Sequence, residues 1–488
     1  MGRPTFGPDS PLLGRRTPSM PSTPIVFGTS GWRGILGDDF TCFNLRRVAR
    51  AVARHFRQQN RSRAPRLFIG YDTRFLSEQL AREVSSVLFE EGARPVLAAD
   101  FTPTPALAHA IVQRRFDGGL NITASHNPFE YNGLKLSTRD GAPAPPEVTG
   151  SVEALLQEVS DGSPAPPLRD TALKLLDPAP DYRKAVKQHF RPRLIARGKL
   201  KLVCDPLHGA GRDYLSSLLR SAAEVTSIRT ERDVTFGGLP PDCGEEQLAP
   251  LMREVRRRGA HLGLATDGDA DRFGVVDRGG KFVAANLVLA LLADYLLETR
   301  GIRLGIARTV ATTRLLDDVA AFHSVPLYET GVGFKHFRDL LVGGKVFLAG
   351  EESSGLSIAG HVPEKDGILA GCLVAEMVAF RKQPLQRQIQ DLFKKVGPRF
   401  SRREDHRLDA EQIEELRARL ESPPESLAGK KVMEVQRKDG TLMTCQDGSW
   451  LLVRLSGTEP VARCYAEARN PRDLVRLMDT GRALILAR

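Results

Sequence analysis

The sequence holds little of what staples, spans or grips nucleic acid. Its 488 residues include only six cysteines, Cys42, Cys204, Cys243, Cys372, Cys445 and Cys464, far apart and with no Cys-x-x-Cys pair. A disulfide framework is therefore not expected, and reduced thiols in a cytoplasmic protein fit better. Cys/His finger spacing, a basic zipper and an RNA-binding aromatic signature are also missing, so no nucleic-acid partner is expected. The longest apolar stretch, Phe282 to Leu297, is broken by Asn286 and Asp294. It reads as a core helix, and no membrane partner is expected. Residues 1–24 mix Pro, Gly, Ser and charge without the apolar segment of a signal peptide, and a disordered extension is expected there. No Gly-Lys pair is followed by Ser or Thr, so the nucleotide-binding P-loop is absent and nucleotide-driven phosphoryl transfer is disfavoured.

What is present is ordinary in its apolar share, 41%, and its charged share, 26%, but basic overall, with a net charge of +11 and pI near 9.5. Lys and Arg are scattered, with helical patches such as Arg253 to Arg258. A solvated basic surface that attracts phosphate is the simplest reading.

A chain of this length calls for three or four domains. The buried strand expected at Arg66–Tyr71, the amphipathic helix from Ser77 to Gly92 and the strand Arg94–Ala98 set a β-α-β rhythm and a largely parallel sheet. Pro-rich segments at Ala142–Pro146 and Ser163–Pro167 mark a boundary. New units follow with strands at Leu200–Cys204, His261–Thr266, Leu304–Ala307 and Val346–Ala349. The last ninety or so residues change texture, with short strands around helices at Glu411–Leu420 and Asp473–Leu486. The expected fold class is α/β, with three similar mixed-sheet α/β domains and a smaller C-terminal α+β domain. The expected boundaries are 25–165, 166–279, 280–397 and 398–488.

Four motifs carry chemistry. Thr123-Ala124-Ser125-His126-Asn127-Pro128 puts Ser125 on an exposed turn after a strand, where a nucleophile or phosphoryl carrier belongs. His126 and Lys135 are placed to supply protons or counter-charge. Asp267-Gly268-Asp269-Ala270-Asp271-Arg272 alternates carboxylates along an extended loop, so that three converge on one hard cation, for which Mg²⁺ is expected. An EF-hand fails, because Arg272 and Arg278 stand at its glycine and glutamate positions. Gly350-Glu351-Glu352-Ser353-Ser354-Gly355 offers Glu351 and Ser353 to sugar hydroxyls, and Lys365 follows as an anion contact. Arg454-Leu455-Ser456-Gly457-Thr458-Glu459-Pro460, with Arg463 beyond it, combines a hydroxyl-rich turn with two guanidiniums suited to phosphate.

In this order, one per domain, the four motifs resemble those of the α-D-phosphohexomutases over about residues 25 to 488. Gly28–Gly34, Gly70–Arg74 and Thr330–Lys335 add to the likeness. The resemblance implies a heart-shaped enzyme with its site in a central cleft. It implies Ser125 as the phosphoserine, with Asp267, Asp269 and Asp271 and a phosphate oxygen on Ser125 holding Mg²⁺. Arg33 and Lys135 resemble residues that steady the transferring phosphate and assist proton transfer. Arg272, Thr330, Lys335, Glu351, Ser353 and Lys365 resemble sugar contacts, and Arg454, Ser456, Gly457, Thr458 and Arg463 the clamp on the distal phosphate.

A phosphorylated hexose is thus the expected partner of a monomer or homodimer, with a glucose 1,6-bisphosphate-type activator. Glu352 and Leu356, where the glucosamine branch commonly has Gln and His, favour glucose or mannose phosphates. A phosphoglucosamine mutase and a metal-dependent sugar-phosphate phosphatase are the alternatives. A non-catalytic binding protein would leave the set of catalytic positions without purpose.

Overall fold

The structure, a computed structural model, describes residues 25–60, 62–168, 173–456 and 460–487. The expected disordered extension, residues 1–24, lies outside the described residues.

Three α/β domains share one strand plan. In the first, the strands Arg66–Tyr71, Arg94–Ala98, Gly118–Ile122 and Tyr131–Thr138 lie in spatial order second-first-third-fourth. The first three run parallel, and the fourth folds back antiparallel on the third. The same order and directions recur in Lys201–Asp205, Glu224–Ser227, Leu262–Thr266 and Phe273–Asp277. They recur again in Gly305–Thr309, Leu327–Thr330, Val346–Glu351 and Gly355–Ile358. The sheets are therefore mixed, as the expected fold class has them: the β-α-β rhythm supplies the parallel strands and this returning strand the antiparallel one. The central strands are buried and mostly apolar because both faces are covered, as in Leu262–Thr266, buried at every position.

Two elements fall across the expected boundaries. Strand Lys174–Leu176 joins the first sheet beside Arg94–Ala98, past residue 165. Strand Lys281–Val283 joins the second beside Phe273–Asp277, past residue 279. For this reason the helix read from Phe282 begins only at Ala285 and runs to Arg300. In each case edge-strand hydrogen bonding extends a sheet beyond the turn-rich segment that composition marks.

The second and third domains share one apolar core. Helix Gly367–Arg381, capped by Asp366 accepting from the Leu369 N–H, is buried on nearly all sides. It packs on helix Pro192–Gly198 and on strands Leu262–Thr266 and Phe273–Asp277 of the second domain.

The C-terminal domain is a six-stranded antiparallel sheet. Helices Ala410–Glu421 and Pro471–Leu486 bury Leu416, Leu477 and Ile485 on one face. The other face sets Leu442, Trp450, Leu452 and Tyr465 against Val310 and Ala311 of the third domain. Buried Glu467 ties this junction by accepting from Trp450 Nε1, the Arg314 N–H and the Thr313 hydroxyl. Among the described residues, no helix is long and apolar enough to cross a membrane.

Candidate active site

The turn from the third to the fourth strand occupies one topological position in all three α/β domains. Ser125, the Asp267–Asp271 run and Glu351–Ser354 lie on those three turns. Each turn contains one non-glycine residue in the left-handed region, Ser125 (φ 52), Ala270 (φ 60) and Ser354 (φ 70), which lets it reverse tightly at the carboxyl end of a buried strand. The turns also interlock. The Phe273 N–H donates to the Ser354 carbonyl and Arg272 bridges to Gly355, while the Thr104 N–H, at the start of helix Thr104–Gln113, donates to the Asp269 carbonyl.

Ser125, expected on an exposed turn, is instead 1% exposed because the carboxylate loop of the second domain packs against it, and its Oγ donates to Asp267 Oδ2 over 2.8 Å. His126 Nδ1 lies 3.4 Å from the same hydroxyl oxygen. Burial and the nearby cations Arg272, Arg33, Lys135 and Arg403 push the His126 imidazole well below its usual value, so it is neutral at physiological pH. The turn hangs on Arg74, whose guanidinium is fully buried. It donates to the carbonyls of Ser125 and Asn127 at 2.6 Å, Pro128 at 2.7 Å and Tyr131 at 3.0 Å, and is paired with Asp72. Asp72 in turn accepts from Thr123, whose hydroxyl receives the Ser125 N–H.

Asp267, Asp269 and Asp271 each present one carboxylate oxygen within 4.8 Å of the others, and all three side chains are buried. Burial, with Asp271 and Asp269 beside it, drives the Asp267 carboxyl well above the usual range. Asp269 Oδ1 and Asp271 Oδ1 are buried with no hydrogen-bond partner. Three convergent carboxylates, two of which keep an oxygen without a partner, fit a small divalent cation. Lys135 Nζ, at 2.5 and 2.6 Å from Asp269 and Asp271, offsets part of the charge. Those two carboxylates raise the amine's pKa against the opposing effect of burial.

Around this centre the structure gathers most of the expected contacts. Arg33 Nη1 donates to Asn127 Oδ1, Lys365 Nζ lies 3.2 Å from Asp271, and Glu351 accepts the Gly333 N–H. The Arg272 N–H donates to Asp267 Oδ1, while its guanidinium reaches Asp242. Thr330 bonds locally to the Gly331 carbonyl, and Lys335 sits half-buried on the next short helix. A cavity of about 240 Å³, lined among others by Arg272, Glu352, Ser353, Arg403 and Tyr465, extends from the carboxylate loop to the C-terminal sheet. Arg454 and Arg463 face each other in register on that sheet, and Ser456 follows at its edge. None of the three makes a described contact with the Ser125 group. Gly457 and Thr458 lie outside the described residues.

Sequence reading gave four groups no role, although two of them, Asp72 and Arg74, fall within the Gly70–Arg74 likeness. Arg74 and Asp72 had a signal, a charged pair two residues apart at the end of an apolar strand. Arg403 had a weaker one, opposite charges two residues apart on a strand. Its guanidinium pairs with Asp405 and reaches Glu352 over 3.3 Å. Thr104, donating to Asp269, had none.

The chain matches all four domain models of the phosphoglucomutase/phosphomannomutase family. These are alpha/beta/alpha domain I over residues 24–162, domain II over 180–280, domain III over 284–396 and the C-terminal domain over 404–482. It is 32% identical over 461 residues to a phosphoglucomutase/phosphomannomutase of Thermococcus kodakarensis, covering 94% of this chain and 98% of the relative. A phosphoglucosamine mutase of Sorangium cellulosum is 29% identical over 450 residues, covering 91% of this chain and 89% of that one. The crystal structure of a presumed phosphomannomutase from Thermus thermophilus superposes with a TM-score of 0.83 at 32% identity, covering 95% and 99% of the two chains.

Proposed function

The chain belongs to the α-D-phosphohexomutases, the phosphoglucomutase/phosphomannomutase family, and from that premise we propose that it interconverts hexose 1-phosphate and hexose 6-phosphate through a phosphoryl group carried on Ser125. Glucose and mannose phosphates are the preferred substrates in this reading. The observation that carries it is the 2.8 Å contact between the Ser125 hydroxyl and Asp267, which puts a phosphoryl acceptor beside a cation site.

In the forward step the phosphorus–oxygen bond to Ser125 breaks as a new one forms to the free sugar hydroxyl, whose proton must leave. Neutral His126, 3.4 Å from Ser125 Oγ, is the group assigned to take it. The resulting hexose bisphosphate turns over in the cleft, and its opposite phosphate returns to the serine oxygen. The same bisphosphate, supplied from solution, phosphorylates a bare Ser125 and so acts as activator. Asp267, Asp269, Asp271 and phosphorylated Ser125 would hold Mg²⁺, which supplies Lewis-acid neutralisation of phosphoryl oxygens. Lys135, kept charged by its two carboxylates, and Arg33 stabilise the charge that spreads over the transferring group. Arg272, Thr330, Lys335, Glu351, Ser353 and Lys365 orient the sugar. Arg454, Ser456, Gly457, Thr458 and Arg463 hold the phosphate that is not reacting. Burial of Ser125 favours transfer to sugar over transfer to water.

The test is a coupled assay with glucose, mannose and glucosamine 1-phosphates plus a hexose bisphosphate, run beside intact-mass measurement. Wild type is expected to isomerise glucose or mannose phosphate without releasing phosphate and to carry one phosphoryl group that Ser125→Ala lacks. Stoichiometric release of inorganic phosphate would establish the phosphatase instead. A marked preference for glucosamine phosphate would establish the other alternative.

A further inference from the structure

Arg454, on the strand that leads into the phosphate loop, is held by a residue with no role so far. Its Nε donates to Asp439 Oδ1 over 2.6 Å, and the second oxygen of that carboxylate accepts the Val332 N–H over 2.7 Å. Asp439 sits at the tip of the hairpin between strands Lys430–Gln436 and Thr441–Cys445 of the C-terminal domain. Val332 belongs to the third-domain loop between Thr330 and Phe334. One carboxylate therefore joins a candidate phosphate-clamp arginine to the loop that carries two candidate sugar contacts, Thr330 and Lys335.

The hairpin is shaped for this. Gly440 has φ +87, and a Cβ there would lie 2.6 Å from the Val453 carbonyl oxygen and 3.1 Å from Arg454 Cα. Only glycine lets the tip come alongside Arg454. On the other side Lys438 Nζ donates to the Glu329 carbonyl over 2.9 Å, at the end of the third-domain strand.

Docking of the two domains does not need Asp439. The apolar contact of Trp450, Leu452 and Tyr465 with Val310 and Ala311, and the buried Glu467 junction, already supply it. What Asp439 adds is orientation. It occupies the Nε edge of Arg454, and the terminal nitrogens Nη1 and Nη2 have no protein partner among the described residues. Two parallel N–H donors left on one edge form the fork that a phosphate accepts bidentately.

We propose that Asp439 is a positioning residue that presets Arg454 for the distal phosphate and keeps the clamp in register with the sugar-binding loop. The proposal rests on the mutase reading. It is tested with the full-length, Mg²⁺-loaded enzyme, glucose 1-phosphate and bisphosphate activator. Asp439→Ala is expected to raise KM about tenfold with kcat changed less than about threefold, because the clamp holds ground and transition states alike. Asp439→Asn, which keeps a neutral acceptor, is expected to fall between wild type and Asp439→Ala and serves if the alanine variant folds poorly. If Asp439 acts through Arg454, the double variant with Arg454→Met will have the KM of Arg454→Met alone. An unchanged KM in Asp439→Ala, or effects that multiply in the double variant, would overturn the proposal. If wild type isomerises no hexose phosphate, the mutase reading fails separately. Calorimetry with inorganic phosphate then decides for Asp439: weaker binding by the same factor in Asp439→Ala and Arg454→Met sustains it, and equal affinity to wild type rejects it.

Discussion

The Ser125 hydroxyl and Asp267 Oδ2 stand 2.8 Å apart although 142 positions separate them. The turn that presents the serine and the turn that presents the carboxylates come from different sheets and meet only because the first two α/β domains face one another.

Removing one carboxylate separates cation binding from folding. In wild type, Mg²⁺ is expected to raise the melting temperature, since a ligand at about a hundred times its Kd adds about 2.7 kcal/mol. Asp267→Asn is expected to lose that shift while its metal-free melting point stays equal or rises, because one of three mutually repelling buried carboxylates is gone. Thermal melts across a Mg²⁺ titration decide it. An undiminished shift in the variant would place the cation elsewhere.

Arg74 is expected to be the most sensitive position outside the reacting groups. Arg74→Met strands four carbonyls and Asp72, and breaking a buried pair of this kind costs about 3–5 kcal/mol. Urea denaturation measures the loss. Phosphorylation of Ser125 in the folded fraction should fall with it, since the serine turn loses its anchor. A variant with wild-type stability would contradict the account.

Gly268→Ala tests the nesting of the loops. A Cβ at this position would lie 2.3 Å from the Ser125 carbonyl oxygen and 3.0 Å from Pro241 Cγ, so the serine turn must shift. A displacement of that order lowers kcat about 100-fold. The stability cost is expected to be about 1–3 kcal/mol. Unchanged kcat would mean that the turns are not held in register by this contact.

A histidine cluster sets part of the acid limit. Burial, then His361, lowers the His189 pKa to about 4, while Asp366 opposes and Arg300 and His109 add to the lowering. The unfolded chain takes up a proton near pH 6.5 that folded His189 refuses, so stability falls as pH drops from about 6.5 towards 4. The same cluster includes Tyr182, which donates to Asp366, the residue after Lys365. His189→Gln is expected to flatten the decline in melting temperature between about pH 7 and pH 5. Parallel declines in the two proteins would remove His189 from the acid response.

Local chemistry was legible. The alternating aspartates are a short-range pattern, and their convergence follows from backbone geometry alone, as does the reversal that carries Ser125 at the end of a strand. The burial of that serine against Asp267 does not follow from it. The strand at Arg66–Tyr71 and the helix from Ser77 could be read because apolar periodicity is strong there, although the helix stops at Glu90 rather than Gly92. The fourth, antiparallel strand of each domain was less visible. A buried strand looks the same in either direction, since direction is set by its neighbours' hydrogen bonds.

By itself the sequence determined which groups exist and how they are spaced along the chain: a serine before a helix-breaking Asn-Pro, three carboxylates at every second position, guanidiniums around a Ser-Gly-Thr turn. Only the tertiary structure decided that Asp269 would meet Thr104, that Arg74 would anchor the serine turn and that Asp439 would hold Arg454. Such pairings depend on how whole sheets pack, through apolar surfaces that carry no direct record of which polar groups they bring together.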